Sequence, residues 1–444
     1  MGPDLFEQHL KQIVANIKYE YQEGRISAIN LMASVIEKLP EELLEKHAQL
    51  LFLPLVLQIV NDDSNECREA VSRCIILLLT RSSVEVLQSL HDYTVRWSKN
   101  PGPLRTASLQ VFGIFVESCP DYIIGNGLVT PWIGSLQRLL QETDTDWEVS
   151  YFSLKCIEKM AKCSELEISK EAGLWACIVD RLVDAHPWIK LASSRIVQKL
   201  FVSPTMGALL NANAGLLFEI TRNLCFQLNV KEEEQSEELS DLVIKTLTLA
   251  LPIMKKSPHL CFSEDNQFKD EGRDPVNWLM RRLSQIAKPK GTKRRLAIFK
   301  CFAAFASLHN EIVAPYMELI LEPLYRANLE ASNELENPSV SHKQHAGSIE
   351  VTTEASLARD VLQLVEESCD SPEDFLKAYA AVKTRARDKK ERRKAEEKAE
   401  AVNDPMAAAQ RKMKKQQHEK QRKKRRVEER RRDRGATKKF RNVS

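Results

Sequence analysis

Two cation clusters near the C-terminal end carry the clearest chemical signal in this sequence. They are Arg411-Lys412-Met413-Lys414-Lys415 and Arg422-Lys423-Lys424-Arg425-Arg426, six residues apart. Cations packed this closely concentrate positive potential where phosphates are closely spaced, and release of condensed counterions then favours binding. Arg411, Lys412, Lys414, Lys415, Arg422, Lys423, Lys424, Arg425 and Arg426 are therefore the candidate nucleic-acid-binding residues. The same clusters fit a nuclear or nucleolar import signal. The bland alternative is a solvated helix face with nothing bound. Phe440 is the sole aromatic residue after position 382, so this segment offers almost no base stacking. Phosphate-dominated, structure-tolerant binding is expected there rather than sequence-specific reading of single strands.

The clusters sit in a chain whose charge is split. Residues 383–444 hold 26 Lys and Arg against 10 Asp and Glu, a net of +16. The preceding residues hold 39 basic against 52 acidic side chains, a net of −13, so the overall +3 is a cancellation. An acidic body joined to a cationic arm suits a protein that touches polyanions with one part and other proteins with the rest.

Catalytic patterns fail one by one. Gly125-Asn126-Gly127-Leu128-Val129-Thr130 begins like a dinucleotide loop but lacks the third glycine and a leading strand pattern. No G-x-x-x-x-G-K, G-x-S-x-G or H-E-x-x-H run is present. His342 and His345 fall in a polar stretch that gives a metal no rigid support. The ten cysteines form no C-x-x-C pair; Cys67 and Cys74, like Cys156 and Cys163, are seven apart and share a helix face. They read as reduced, buried, small apolar residues of a reducing compartment. Trp147 and Trp188 read as packing or capping residues rather than a ligand cage. No enzyme activity, cofactor, metal or small-molecule substrate is expected.

The opening MGPDLFEQHL lacks the basic start and apolar run of a secretory signal. The most apolar stretch, residues 50–60, is interrupted by Pro54 and Gln58 and falls short of the ~20 residues a bilayer needs. A soluble protein with no membrane partner is expected.

Helical spacing dominates the body. Ile26, Ile29, Met32, Ile36 and Leu39 recur at steps of three and four, as do Ile133, Leu136 and Leu140, and Leu174, Ile178 and Leu182. Turn and capping residues separate these stripes at Gly24, Pro40, Asn61-Asp62-Asp63-Ser64, Pro101-Gly102-Pro103 and His186-Pro187. Helix starts near Arg25, Ser64, Leu104, Trp147 and Trp188 lie 39, 40, 43 and 41 residues apart. Helix pairs of HEAT and armadillo type repeat every ~40–47 residues. Residues 50–80 read as one such unit, with Pro54 in its first helix, an acidic turn at Asp62-Asp63, and Arg68 and Ala70 opening its second. A helix pair cannot cover both of its apolar flanks, so neighbours stack into a continuous core.

The expected organisation is all-α: a HEAT/armadillo-type solenoid over 1–327, a disordered linker over 328–355, capping helices over 356–382 and a basic, partly helical tail over 383–444. Past residue 200 the regularity weakens. An acidic turn is expected at 231–238, an insertion loop at 255–275, and helices at 276–287, 293–309 and 312–326. Ser371-Pro372-Glu373-Asp374 reads as a helix start, opening a helix without an apolar stripe that Asn403-Asp404-Pro405 interrupts.

Several runs resemble one family. Leu55-Val56-Leu57-Gln58-Ile59-Val60-Asn61-Asp62-Asp63-Ser64, His186-Pro187-Trp188-Ile189-Lys190-Leu191-Ala192, Trp278 to Ala287 and Ile298 to Ala304 look like segments of the DRIM family of U3-associated proteins, the very large HEAT-repeat proteins of the small-subunit processome. The match continues through Asn403-Asp404-Pro405, Ala407-Ala408, Arg411 to Lys415 and Lys423 to Arg426. Family members are far longer, and this chain resembles their C-terminal part. The resemblance implies a non-catalytic scaffold in the nucleus and nucleolus, supporting pre-rRNA processing and 18S rRNA maturation. Its implied partners are pre-rRNA, the U3 small nucleolar ribonucleoprotein and other processome proteins along the solenoid. The alternative is a generic HEAT-repeat adaptor whose basic tail is only an import signal.

Overall fold

The computed structural model describes residues 3–142, 146–163, 168, 170–229, 236–264, 266, 268, 273–289, 292–336, 345–403, 406, 409–410, 413–414, 416–417 and 420–421. Among these residues there is no strand. The helices are α1 (Pro3–Asn16), α2 (Gln22–Lys38), α3 (Glu41–Asn61), α4 (Asn65–Arg81), α5 (Val84–Ser98), α6 (Pro103–Ser118), α7 (Pro120–Gly125), α8 (Val129–Gln141) and α9 (Trp147–Cys163). They continue with α10 (Ala172–Asp180), α11 (Pro187–Phe201), α12 (Met206–Ala212), α13 (Leu216–Leu228), α14 (Glu237–Lys256), α15 (Pro275–Ala287) and α16 (Thr292–Leu308). The last are α17 (Asn310–Val313), α18 (Met317–Glu336), α19 (His345–Glu367) and α20 (Pro372–Asn403).

The chain divides into two compact units, 1–368 and 369–444. In the first, α2, α4, α6, α9, α11, α14, α16 and α19 pack in succession as one layer. The other layer is built from contacts of α3 with α5, α8 with α10, and then α10, α13, α15 and α18 in turn. This is an α-solenoid of stacked helix pairs. Helices of the first layer begin at Gln22, Asn65, Pro103, Trp147 and Pro187, within three residues of the starts read from the sequence. Ile29, Met32, Ile36, Ile133, Leu136, Leu140, Leu174, Ile178 and Leu182 are all buried, as their spacing predicts.

Repeats are joined by side chains that reach back one unit. Arg81 donates to the carbonyls of Ile36, Glu37 and Leu39 at the end of α2. Arg181 reaches Leu140 O at the end of α8. Asn223 reaches Val179 O at 2.9 Å, and Gln227 reaches Leu182 O. Helix ends leave carbonyls without intrahelical partners, and these long side chains satisfy them where glycine caps are scarce.

The acidic turn at Asp62-Asp63 has a structural role that its local sequence does not reveal. Asp62 is buried and accepts from Arg25 Nε and Nη2 at 3.0 and 2.9 Å and from Gln58 Nε2 at 2.5 Å. Burial alone would raise its carboxyl pKa; the Ser64 N–H, Arg25 and Gln58 outweigh that and hold it below the usual value. The acidic residue thus clamps the start of α2 to the turn of the next repeat.

The cysteine spacing has a similar explanation. Cys74 Sγ faces Ile29 O at 3.3 Å and Cys156 Sγ faces Leu109 O at 3.0 Å, each against the preceding helix of its layer. Cys67, Cys74 and Cys156 are buried, and Cys163 is half-buried.

Two expectations are corrected. The region read as a linker, 328–355, is helical across its described residues: α18 runs to Glu336 and α19 begins at His345. Residues 337–344, including His342, lie outside the described residues. The stretch is polar because its helices close the stack with few apolar anchors: Glu354, Ala355 and Ala358 of α19 are buried, and α19 packs on α16 and α18. The second correction concerns α3, which extends well past the interrupted stretch 50–60. By length and composition this 21-residue helix is apolar enough to cross a membrane, and so is the bent pair 293–308 with 310–332. Leu44, Leu51, Phe52, Leu55, Val56 and Ile59 of α3 are buried in a helix that packs on α4 and α6.

Candidate nucleic-acid interface

The second unit is led by α20. Pro372 sits at its first turn with Glu373 and Asp374, where acids complement the amide end of the helix dipole. The N–H groups of Asp374 and Phe375 bond Ser371 O. Phe375 stacks on Tyr379 at 6.0 Å, and Phe375 and Val382 are buried. That short apolar edge departs from the reading of a helix with none, and it ends at Val382.

Beyond Val382 the helix is cationic, and its described side chains are exposed apart from the half-buried Ala386. Lys383, Arg387, Lys390, Lys394 and Lys398 follow one another at steps of four, three, four and four. At 3.6 residues per turn these positions fall on one face, forming a stripe about 22 Å long at 1.5 Å per residue. Intrahelical pairs steady the neighbouring cations: Arg387 Nε lies 3.0 Å from Glu391 and Arg392 Nε lies 3.5 Å from Glu396. The Glu391 hydrogen bond raises the Arg387 pKa, and a guanidinium is charged at neutral pH in any case. Such exposed pairs are weak and open readily to a phosphate. The sequence signal for this stripe is the recurrence of its cations at the helical period.

The structure treats the sequence-predicted residues unevenly. Lys414 is helical and exposed. Arg411, Lys412, Lys415, Arg422, Lys423, Lys424, Arg425 and Arg426 lie outside the described residues. Among the described residues no group of His, Cys, Asp and Glu is arranged to hold a metal ion. Gly127 takes a left-handed φ of 62° in the turn between α7 and α8, with helices on both sides. Trp147 stacks on His186 at 4.1 Å and meets the edge of Trp188 at 5.2 Å, tying the starts of α9 and α11 together.

Comparison with known proteins agrees with this architecture. The chain is 24% identical over 428 residues to "U3 small nucleolar RNA-associated protein 20" of Schizosaccharomyces pombe, covering 89% of this chain and 16% of that protein. The Saccharomyces cerevisiae protein of the same name is 24% identical over 421 residues, again covering 16% of its length. The chain thus spans about a sixth of the length of the curated relatives it matches. A crystal structure of Kap121p bound to Ste12p shares the fold, with a TM-score of 0.52 over 84% of this chain and 34% of that one at 14% identity. The family model described as "Small subunit processome component 20 homolog, C-terminal" matches residues 153–429, reaching from the solenoid into the basic helical region. The chain belongs to that family.

Proposed function

We propose that this chain acts within a non-catalytic scaffold of the small-subunit processome, in the nucleolus, supporting pre-rRNA processing and 18S rRNA maturation. The solenoid presents helix ridges to other processome proteins, and the basic tail neutralises phosphates of pre-rRNA held with the U3 small nucleolar ribonucleoprotein. The observation that carries this reading is the exposed stripe Lys383, Arg387, Lys390, Lys394 and Lys398, which precedes the clusters at 411–415 and 422–426 in the sequence. Family membership and the names of the two yeast relatives supply the biological setting. Two weak contacts made together raise effective concentration, so neither surface needs to bind tightly alone.

The test is replacement of the cations after position 382 by glutamine in the full chain, with an unrelated import signal appended. Loss of co-purifying pre-rRNA and accumulation of unprocessed precursor, with nuclear entry intact, is the expected result. Normal processing in that variant would reduce the tail to an import signal and overturn the proposal.

A further inference from the structure

The helices α13 and α15 flank a groove of about 560 Å³ on the solenoid, far in sequence from the basic tail. Arg222 and Phe226 line it from α13 at a spacing of four. Trp278, Arg281, Arg282 and Gln285 line it from α15 at spacings of three, one and three, a single helix face. Among the described residues no carboxylate lines the groove. It is a cationic patch on a body whose net charge is −13. Three guanidiniums converging on one cleft select an anion, and their planar forks suit phosphate oxygens.

The aromatic side chains narrow the choice of anion. Phe226 is 54% exposed at the wall of the groove. Trp278 is held in place by the edge of Phe218 at 4.8 Å and by Phe268 at 6.1 Å. Arg281 is oriented by Asn277 Oδ1 at 3.1 Å. Arg222 pairs with Glu219 at 2.5 Å within α13; Arg222 is exposed and Glu219 half-buried, so a phosphate would have to displace or share this partly solvated carboxylate. An acidic peptide would use the arginines and leave the ring faces idle. An RNA duplex would keep its bases stacked inside. A single strand uses both, with phosphates on the arginines and a splayed base on a ring.

We propose that the α13/α15 groove binds single-stranded RNA, with Arg222, Arg281 and Arg282 holding phosphates and Phe226 stacking a base. None of these residues lies in the tail, so this site stands or falls separately from the tail contact proposed above.

The test uses the full chain and an oligouridylate carrying 4-thiouridine, photo-crosslinked and mapped by mass spectrometry. Crosslinked peptides from α13 or α15 are expected. Phe226→Ala, at an exposed position that leaves the core intact, should weaken oligouridylate binding about fivefold or more while leaving a matched RNA duplex unaffected. Arg281→Gln with Arg282→Gln should lower the salt slope of log affinity by about 1.4, from 0.7 per contact. Crosslinks confined to residues after 382 would sink this site and leave the tail proposal standing. Equal losses on single strands and duplexes in Phe226→Ala would also overturn it. So would a Phe226-sensitive affinity for an oligoglutamate peptide with no effect on oligouridylate, which would make the groove a protein site.

Discussion

Arg295 of α16 holds Glu354 of α19 at 2.5 Å across 59 residues of sequence, with its own side chain only 2% exposed. Glu330 of α18 closes on the same guanidinium at 2.8 Å, and the carbonyls of Ala287 and Lys288 accept two more of its protons at 2.9 and 3.1 Å. Burial alone would lower the Arg295 pKa; the two carboxylates outweigh it and hold the pKa raised. One side chain thereby joins the end of α15, α16, α18 and α19.

Arg295→Ala should therefore cost about 3–5 kcal/mol, the usual range when one partner of a buried ion pair is removed. The loss comes mainly from leaving Glu354 buried without its cation. Urea denaturation of the full chain followed by circular dichroism measures it. A loss below about 1 kcal/mol would mean that α19 is not held by this pair.

His91 gives the fold a pH dependence. Trp132 Nε1 donates to His91 Nε2 at 2.8 Å, so the ring accepts there and is neutral. The His91 ring is ringed by Phe112, Phe115, Tyr122 and Trp132, and burial depresses its pKa more than nearby Asp92 raises it. A base with a depressed native pKa takes up protons more readily when unfolded. Its stability contribution is therefore complete above the unfolded value of about 6.5 and is lost as pH falls from there toward the native value. The denaturation midpoint should drop between pH 7.5 and 5.5, and drop less in His91→Gln. Equal drops in both proteins would assign the effect elsewhere.

The thiols should divide by burial. Burial pushes Cys74 up to about 11, and Cys156, Cys225 and Cys261 up to about 12, so little thiolate exists at neutral pH. In the native protein a charged thiol reagent should modify Cys119, Cys163 and Cys369, which are half-buried, and spare Cys67, Cys74, Cys156, Cys177, Cys225, Cys261 and Cys301. All ten should react in denaturant. Rapid native labelling of Cys156 would contradict its packing against Leu109 O.

Truncation after Val382 should leave the melting temperature of the chain nearly unchanged. Of the described side chains beyond it only Ala386 is half-buried, and the others are exposed. Removing solvated charge forfeits almost no apolar burial. Differential scanning fluorimetry of the two lengths decides this, and a drop of ten degrees or so would show hidden packing by the tail.

Local physics made much of this protein legible without coordinates. Apolar residues at three and four residue steps mark helix faces, and capping residues mark breaks. The starts near Arg25, Ser64, Leu104, Trp147 and Trp188 follow from these signals because backbone hydrogen bonding and capping act within a few residues. The charge break at residue 383 is likewise written in composition. Tertiary structure alone decided which repeats' side chains meet. Arg25 finds Asp62, Arg295 finds Glu354, and Arg222 shares a groove with Arg281 only because stacking sets the register between successive helix pairs. No local pattern encodes that register. The polar start of α19 shows the consequence: its sequence reads as a linker, yet a buried cation on another helix gives Glu354 a reason to be helical and enclosed.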